Sequence, residues 1–260
     1  YTREYIHRPD IPKPMISSAC PAVVRLISIR FPFLLENVLP ILPPVELAAR
    51  LAKKEALEKH PELKEEDICA LFISPCPAKV SYIRSPLGAE KSAIDGALSI
   101  RDVYFDLISA MKHIEEPQEA CRFGIIGISW AASGGESSAL FNDKYLAADG
   151  IENIIQVLDE IEKENFTGLE FIELNACNGG CVGGALNVEN PFIAKARLQN
   201  LRRYLPVSQN HITHTEQIDQ GHLPKEVLFD CEVPASTVMK LDDDRRVAQK
   251  KMAMIQELTK

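Results

Sequence analysis

Short apolar runs, broken by proline and glycine, alternate along this chain with longer stretches whose apolar residues recur at helical spacing. Residues 1–13 are polar, contain Pro9 and Pro12, and read as an extended lead-in. Met15 to Ser18 follows as a short strand, and Pro21 is placed to be the first residue of a helix that runs on to Phe31. Pro32, Pro40, Pro43 and Pro44 then predict a loop, and the Ala, Leu, Lys and Glu of residues 46–59 a second helix. Ile68 to Ile73 reads as a fully buried strand ending at Ser74-Pro75-Cys76, and Ile94 to Ile100 as another.

Arg101 to His113 predicts a helix with Val103, Tyr104, Leu107, Ile108 and Met111 on one face. The apolar stretch Gly124 to Trp130 leads to a tight turn at Ser133-Gly134-Gly135. Ile151, Ile154, Ile155, Leu158 and Ile161 keep helical spacing, Leu169 to Leu174 reads as a buried strand, and Asn190-Pro191 as the start of a basic helix with a solvated face. Residues 204–240 carry no clear pattern, and 242–260 form an amphipathic helix with a stripe of Val247, Met254, Ile255 and Leu258, expected to pack on the core or a neighbouring module. Strands alternating with helices predict an α/β fold with mostly parallel sheets.

The chain has 260 residues, 46% hydrophobic and 25% charged, enough for a sizeable core. A net charge of −8 speaks against nucleic-acid or anionic-membrane partners, and no apolar run approaches the ~18 residues of a membrane span. The expected location is the cytoplasm. The chain starts at Tyr1 and its last helix runs into Lys260, which reads as a fragment of a longer polypeptide.

Seven cysteines form an odd set, at 20, 69, 76, 121, 177, 181 and 231, so metal binding outranks disulfides. Cys20, Cys76 and the Cys177/Cys181 pair each follow the end of a predicted strand, where α/β folds build their sites. Four thiols are the complement of a structural zinc or a cubane cluster, and one close pair joined by two distant single cysteines speaks against zinc. Cys20 falls where a strand hands over to a helix, whose N-terminal dipole is expected to make a thiolate easier to form. Gly179, Gly180, Gly183 and Gly184 surround the pair, and their amides are expected to approach a sulfide or small ligand closely. Cys69, Cys121 and Cys231 read as core residues, and His211, His214 and His222 as loop histidines.

Three segments, Ser17-Ser18-Ala19-Cys20-Pro21, Ser74-Pro75-Cys76-Pro77-Ala78-Lys79 and Glu173-Leu-Asn-Ala-Cys177-Asn-Gly-Gly-Cys181-Val-Gly-Gly184, resemble in order and spacing the signature motifs of the [FeFe]-hydrogenase catalytic domain. Ile94 to Asp102 and Ser133 to Gly135 are similar to further stretches of that domain, and the likeness covers residues 14–203, leaving 204–260 as a C-terminal extension. The resemblance implies an iron-only hydrogenase-like fold, two lobes of mostly parallel sheet flanked by helices with the cluster site between them. It implies that Cys20, Cys76, Cys177 and Cys181 ligate a [4Fe-4S] cubane, with Cys181 also bridging to the diiron unit of an H-cluster. Lys79 matches the lysine that donates to that unit.

The departures from the family pattern fall at the diiron-pocket positions. Ala19 stands where catalytic members have a proton-relaying cysteine, and Ser74 and Asn175 stand where they have methionines. Alanine carries no proton, so slow H2 turnover is expected. These replacements, with Asn187 to Phe192 and the closing helix, look similar to the sensory branch of the family, in which ferredoxin-like clusters precede the domain and a cluster module with a PAS domain follows it. The implied partners are H2 and protons, with those modules in the parent protein. The alternative is a cluster-only relative of the kind that serves iron–sulfur assembly; a structural zinc protein is the third class.

Overall fold

A computed structural model describes residues 1–116, 124–207, 223–236 and 245–258. In chain order they form α1 (Thr2–Ile6), β1 (Met15–Ile16), α2 (Pro21–Arg30), α3 (Pro44–Lys59), β2 (Leu71–Ser74), α4 (Pro77–Arg84), β3 (Gly96–Ser99), α5 (Ile100–Met111), α6 (Ile125–Ser129), α7 (Gly135–Ser138), β4 (Tyr145–Asp149), α8 (Ile151–Glu162), β5 (Phe171–Asn175), α9 (Pro191–Leu201) and α10 (Arg245–Leu258). The chain is an α/β protein with two parallel sheets. One has the order β1-β5-β4; the other pairs β2 with β3. Met15 lies opposite Phe171 and Ile73 opposite Leu98.

The three-stranded sheet carries the main core. The middle strand β5 has buried residues from Phe171 to Leu174, as a strand covered on both faces requires. Against it pack Val23, Val24 and Ile27 of α2 and Ile154, Leu158 and Ile161 of α8. Residues 223–236 strap across the outside of this core: Phe229 N–H donates to Pro40 O at 3.0 Å, Asp230 N–H to Gly88 O at 2.7 Å and Ser236 N–H to Ser28 O at 2.8 Å. Gly88 is glycine because the Phe229 ring lies on it; a Cβ there would sit 2.4 Å from the ring.

Several expectations are corrected. The lead-in contains α1, anchored by the fully buried Ile6. β4 was not anticipated. β2 starts at Leu71 and is not fully buried: Leu71 and Ile73 are 61% and 53% exposed. Strand alternation and register put Leu71, Ile73 and Leu98 on one face of a two-stranded sheet that, among the described residues, nothing covers. α5 likewise has no buried residue despite its apolar stripe. Cys69 and Cys231 are exposed rather than in the core. Val247, Met254 and Ile255 of α10 are exposed too. Cys121, His211, His214 and His222 lie outside the described residues.

Candidate metal centre

Cys20 and Cys76 are built in by the same device. Each follows a parallel strand, holds extended backbone as the N-cap of a helix, and is followed by proline at the first helical position, Pro21 in α2 and Pro77 in α4. Proline there lacks only an N–H that the helix would leave unpaired, and its fixed φ starts the turn. The two helices pack on each other, so two helix N-termini with their unpaired amides face one cavity.

Cys177 and Cys181 lie on the loop after β5. Gly179 and Gly180 hold φ of +79° and +92°, a region that side chains avoid, and let the loop reverse. The loop is then fastened by two neighbouring segments: Val182 N–H donates to Ala131 O at 2.9 Å and Ser133 N–H to Gly179 O at 3.0 Å on one side, and Leu186 N–H to Pro75 O at 3.0 Å on the other. Asn187 ties its far end, its Nδ2 donating to Cys181 O at 3.0 Å and Val182 O at 2.9 Å.

The result is a cavity of about 180 Å³ lined by Cys20, Cys76, Cys177 and Cys181, the first turns of α2 and α4, and Lys79. Lys79 Nζ is 3.5 Å from Cys181 Sγ, within reach of a charge-assisted hydrogen bond to a thiolate. Among the described residues no three His, Cys, Asp or Glu side chains converge as ligands of a single metal ion. Four thiols around a cluster-sized cavity suit a polynuclear iron–sulfur group rather than zinc. Two helix N-termini and one ammonium also suit the negative charge of such a group. The donor set therefore fits an iron–sulfur cluster.

Thiol acidity departs from expectation. Burial raises the Cys20 pKa, against the lowering by backbone N–H groups of Ala176 and Val23. Cys177 is pushed up to about 11, first by burial, then by the neighbouring Cys76, Cys20 and Cys181; Lys79 works the other way. The helix terminus does not outweigh desolvation at Cys20. Metal uptake must accordingly release protons from these thiols.

The other predicted site residues divide. Asn175, Gly180 and Gly184 line the cavity; Ala19, Ser74, Gly179 and Gly183 do not. Ser74 is fully buried, its hydroxyl accepting from Cys76 N–H at 3.1 Å and donating to Cys76 O at 3.0 Å, so it shapes the turn that presents Cys76. Ala19 N–H donates to Ser17 Oγ at 3.2 Å. The glycines serve mainly to bring loops together. A Cβ on Gly184 would meet Pro75 O at 2.2 Å, one on Gly183 Asn178 O at 2.0 Å and one on Gly180 Ser133 N at 2.4 Å. Glu173, to which no role was assigned, accepts from Gly134 N–H and Ser137 N–H at 2.9 Å each and joins the Gly turn to β5. An acid in the middle of an apolar strand was the signal.

The family profile described as "Iron only hydrogenase large subunit, C-terminal domain" matches residues 2–120 and 132–185, and so both sheets and all four cavity cysteines. The chain belongs to this family. Structures of the [FeFe]-hydrogenase HydA1 of Chlamydomonas reinhardtii, in two single-residue variants, share the fold of this hydrogenase-family domain. One is 17% identical with a TM-score of 0.64, covering 90% of this chain and 81% of the other. The second is also 17% identical, with a TM-score of 0.62 and coverage of 91% and 78%. A "Probable cytosolic Fe-S cluster assembly factor" of Drosophila grimshawi is 31% identical over 80 residues, which span 29% of this chain and only 17% of that protein. Among the described residues no helix of the hydrogenase-family domain is long and apolar enough to cross a membrane.

Proposed function

We propose that this domain is a cytosolic H-cluster-type module that holds a [4Fe-4S] cluster through Cys20, Cys76, Cys177 and Cys181 and reads out H2 or redox state with little turnover. The observation that carries this reading is the convergence of four thiols from three distant segments on one cavity, with Lys79 on the sulfur of Cys181. When bound, the cubane supplies one-electron transfer, and a diiron unit joined to it supplies reversible interconversion of H2 with protons and electrons.

The chain's own residues set the rate. Lys79 holds a positive charge at Cys181, the side of the cavity where an anionic partner group is favoured. Ala19 offers no proton-carrying atom, and Ser74 is turned onto the Cys76 backbone, so neither handles protons at the cavity. Asn175 lines the cavity, with its Nδ2 donating to the Glu173 carboxylate at 2.9 Å. Low turnover suits a sensor whose state is read by ferredoxin-like clusters upstream and signalling modules downstream in a parent protein.

A second reading, a cluster-only protein without H2 chemistry, is favoured by the likeness to the assembly factor over 80 residues. Infrared spectroscopy of the full parent protein, purified anaerobically and supplied with the diiron precursor, separates the two. Metal-bound CO and cyanide bands that respond to H2 support the first; an intact cubane with no such bands supports the second.

A further inference from the structure

Two carboxyl groups are buried together behind the cysteine cavity, and neither has a cation. Glu136 of α7 is 4% exposed and Glu173 of β5 is 3% exposed. Among the described residues no Lys, Arg or His forms an ion pair with either. Their surroundings differ. Glu173 accepts three N–H bonds, from Gly134, Ser137 and the Asn175 side chain, each at 2.9 Å. Both of its oxygens are thereby satisfied. Glu136 has, among the described residues, only the Ser17 hydroxyl, at 2.5 Å. The Ser137 hydroxyl, next along α7, is buried with no hydrogen-bond partner among the described residues, a donor in reserve beside the pair.

Two like charges in a desolvated pocket without a counter-ion are too costly to coexist, so one carboxyl keeps its proton. The groups facing Glu136 are Ser17 from the turn after β1 and Glu173 from β5. β4 carries Tyr145 and Asp149, neither of which moves Glu136, and α6 has no ionisable side chain. Burial pushes the Glu136 carboxyl up to about 8, the Ser17 hydrogen bond pulling against it and the Glu173 charge adding to it.

We propose that the Glu136–Glu173 pair holds one proton, on Glu136, near neutral pH, and that Glu136 takes up or gives off this proton as the charge in the cysteine cavity changes. Both cysteine loops are tied to the pair. Ser17, which donates to Glu136, accepts from the N–H of Ala19, the residue before Cys20. Asn175, which donates to Glu173, lines the cavity two residues before Cys177. The coupling rests on the cluster reading above. Above about pH 8, where Glu136 has lost its proton, one electron delivered to the cavity by an external one-electron reductant is matched by one proton from water, which forms one O–H bond on Glu136. The net charge of the buried unit is then unchanged.

The test has two arms. In the metal-free chain, the infrared C=O band of a protonated carboxylic acid is followed as the pH is raised through about 8. The band should vanish in the wild type, be missing in Glu136→Gln, and persist to higher pH in Ser17→Ala, which loses the opposing hydrogen bond. No such band, or a band that survives Glu136→Gln, overturns the proton on Glu136. In the second arm the chain is reconstituted with iron and sulfide and titrated with dithionite at several pH values. A midpoint potential that falls with rising pH in the wild type and stays flat in Glu136→Gln supports the coupling; equal slopes overturn it. Failure to take up iron overturns the cluster reading and the coupling together, while the band still decides the proton.

Discussion

Replacing Gly184 by alanine tests whether the cysteine loops are held together as described. The backbone there has φ −61°, which alanine adopts freely, so the whole effect is steric. The new Cβ would lie 2.2 Å from Pro75 O, whereas ordinary contact begins near 3.4 Å, so one segment must yield by about 1.2 Å. Overpacking of this kind costs about 1–3 kcal/mol. Pro75 O also accepts from Leu186 N–H, and loosening that bond adds about 0.5–1.5 kcal/mol. Pro75 precedes Cys76, and Gly184 follows Cys181 by three residues, so the displacement separates two of the four thiols. Metal–sulfur distances tolerate only about 0.2 Å. Gly184→Ala should therefore lower the thermal midpoint by on the order of 10 °C and lose most of the reconstituted iron at a temperature where its circular dichroism is still native. Gly127→Ala is the control: at the exposed position of α6, with nothing within 4 Å of the added Cβ, it should stabilise by about 0.5–1 kcal/mol. If Gly184→Ala melts with the wild type and takes up full iron, the contact between the Cys76 and Cys181 loops is not as tight as the geometry states.

Other consequences are open to direct measurement. The folded-state pKa of Glu136 lies above its ordinary 4.5, so its proton contributes stability that is fully present below that value and is lost as pH rises to about 8. The wild-type thermal midpoint should fall across this window more steeply than that of Glu136→Gln; parallel profiles would contradict the assignment. In the full parent protein loaded with the diiron unit, Ala19→Cys should raise H2 turnover if proton supply limits it, and an unchanged rate places the limit elsewhere, at Ser74 or Asn175. Lys79→Ala removes the ammonium from Cys181 and should lower the midpoint potential of the reconstituted cluster, since a nearby cation favours the more negative reduced state; an unchanged potential would separate Lys79 from the cluster.

Much of the site was legible because it depends on topology. A cysteine at the end of a strand in a parallel sheet goes to the same edge as its neighbours, so Cys20 and Cys177, after β1 and β5, could be brought together from strand positions alone, whereas Cys76 follows β2 of the second sheet and joins them through the packing of α2 on α4. What could not be read depends on packing. Tyr145 to Asp149 is too short and mixed to announce a strand, yet it forms β4 because β5 offers it a register. Leu71 and Ile73 read as buried because apolar runs usually are, but burial needs a covering layer, and pattern carries no information about one. The glycines were assigned to ligand approach, and only three-dimensional proximity shows that Gly180 and Gly184 accommodate neighbouring backbone. The acidity of Cys20 was misjudged because a helix terminus is visible in sequence and desolvation is not. The Glu136–Glu173 pair joins residues 37 positions apart, on α7 and β5, and appears only once β5 packs on α7.

The most direct test of the cluster site is the iron and sulfide content, with visible and electron paramagnetic resonance spectra, of the chain reconstituted anaerobically and compared with Cys76→Ala and Cys177→Ala. The wild-type chain should carry roughly four iron and four sulfide with thiolate-to-iron absorbance, and both variants should lose that absorbance. Full absorbance in either variant, or zinc bound in preference to iron in the wild type, would contradict it.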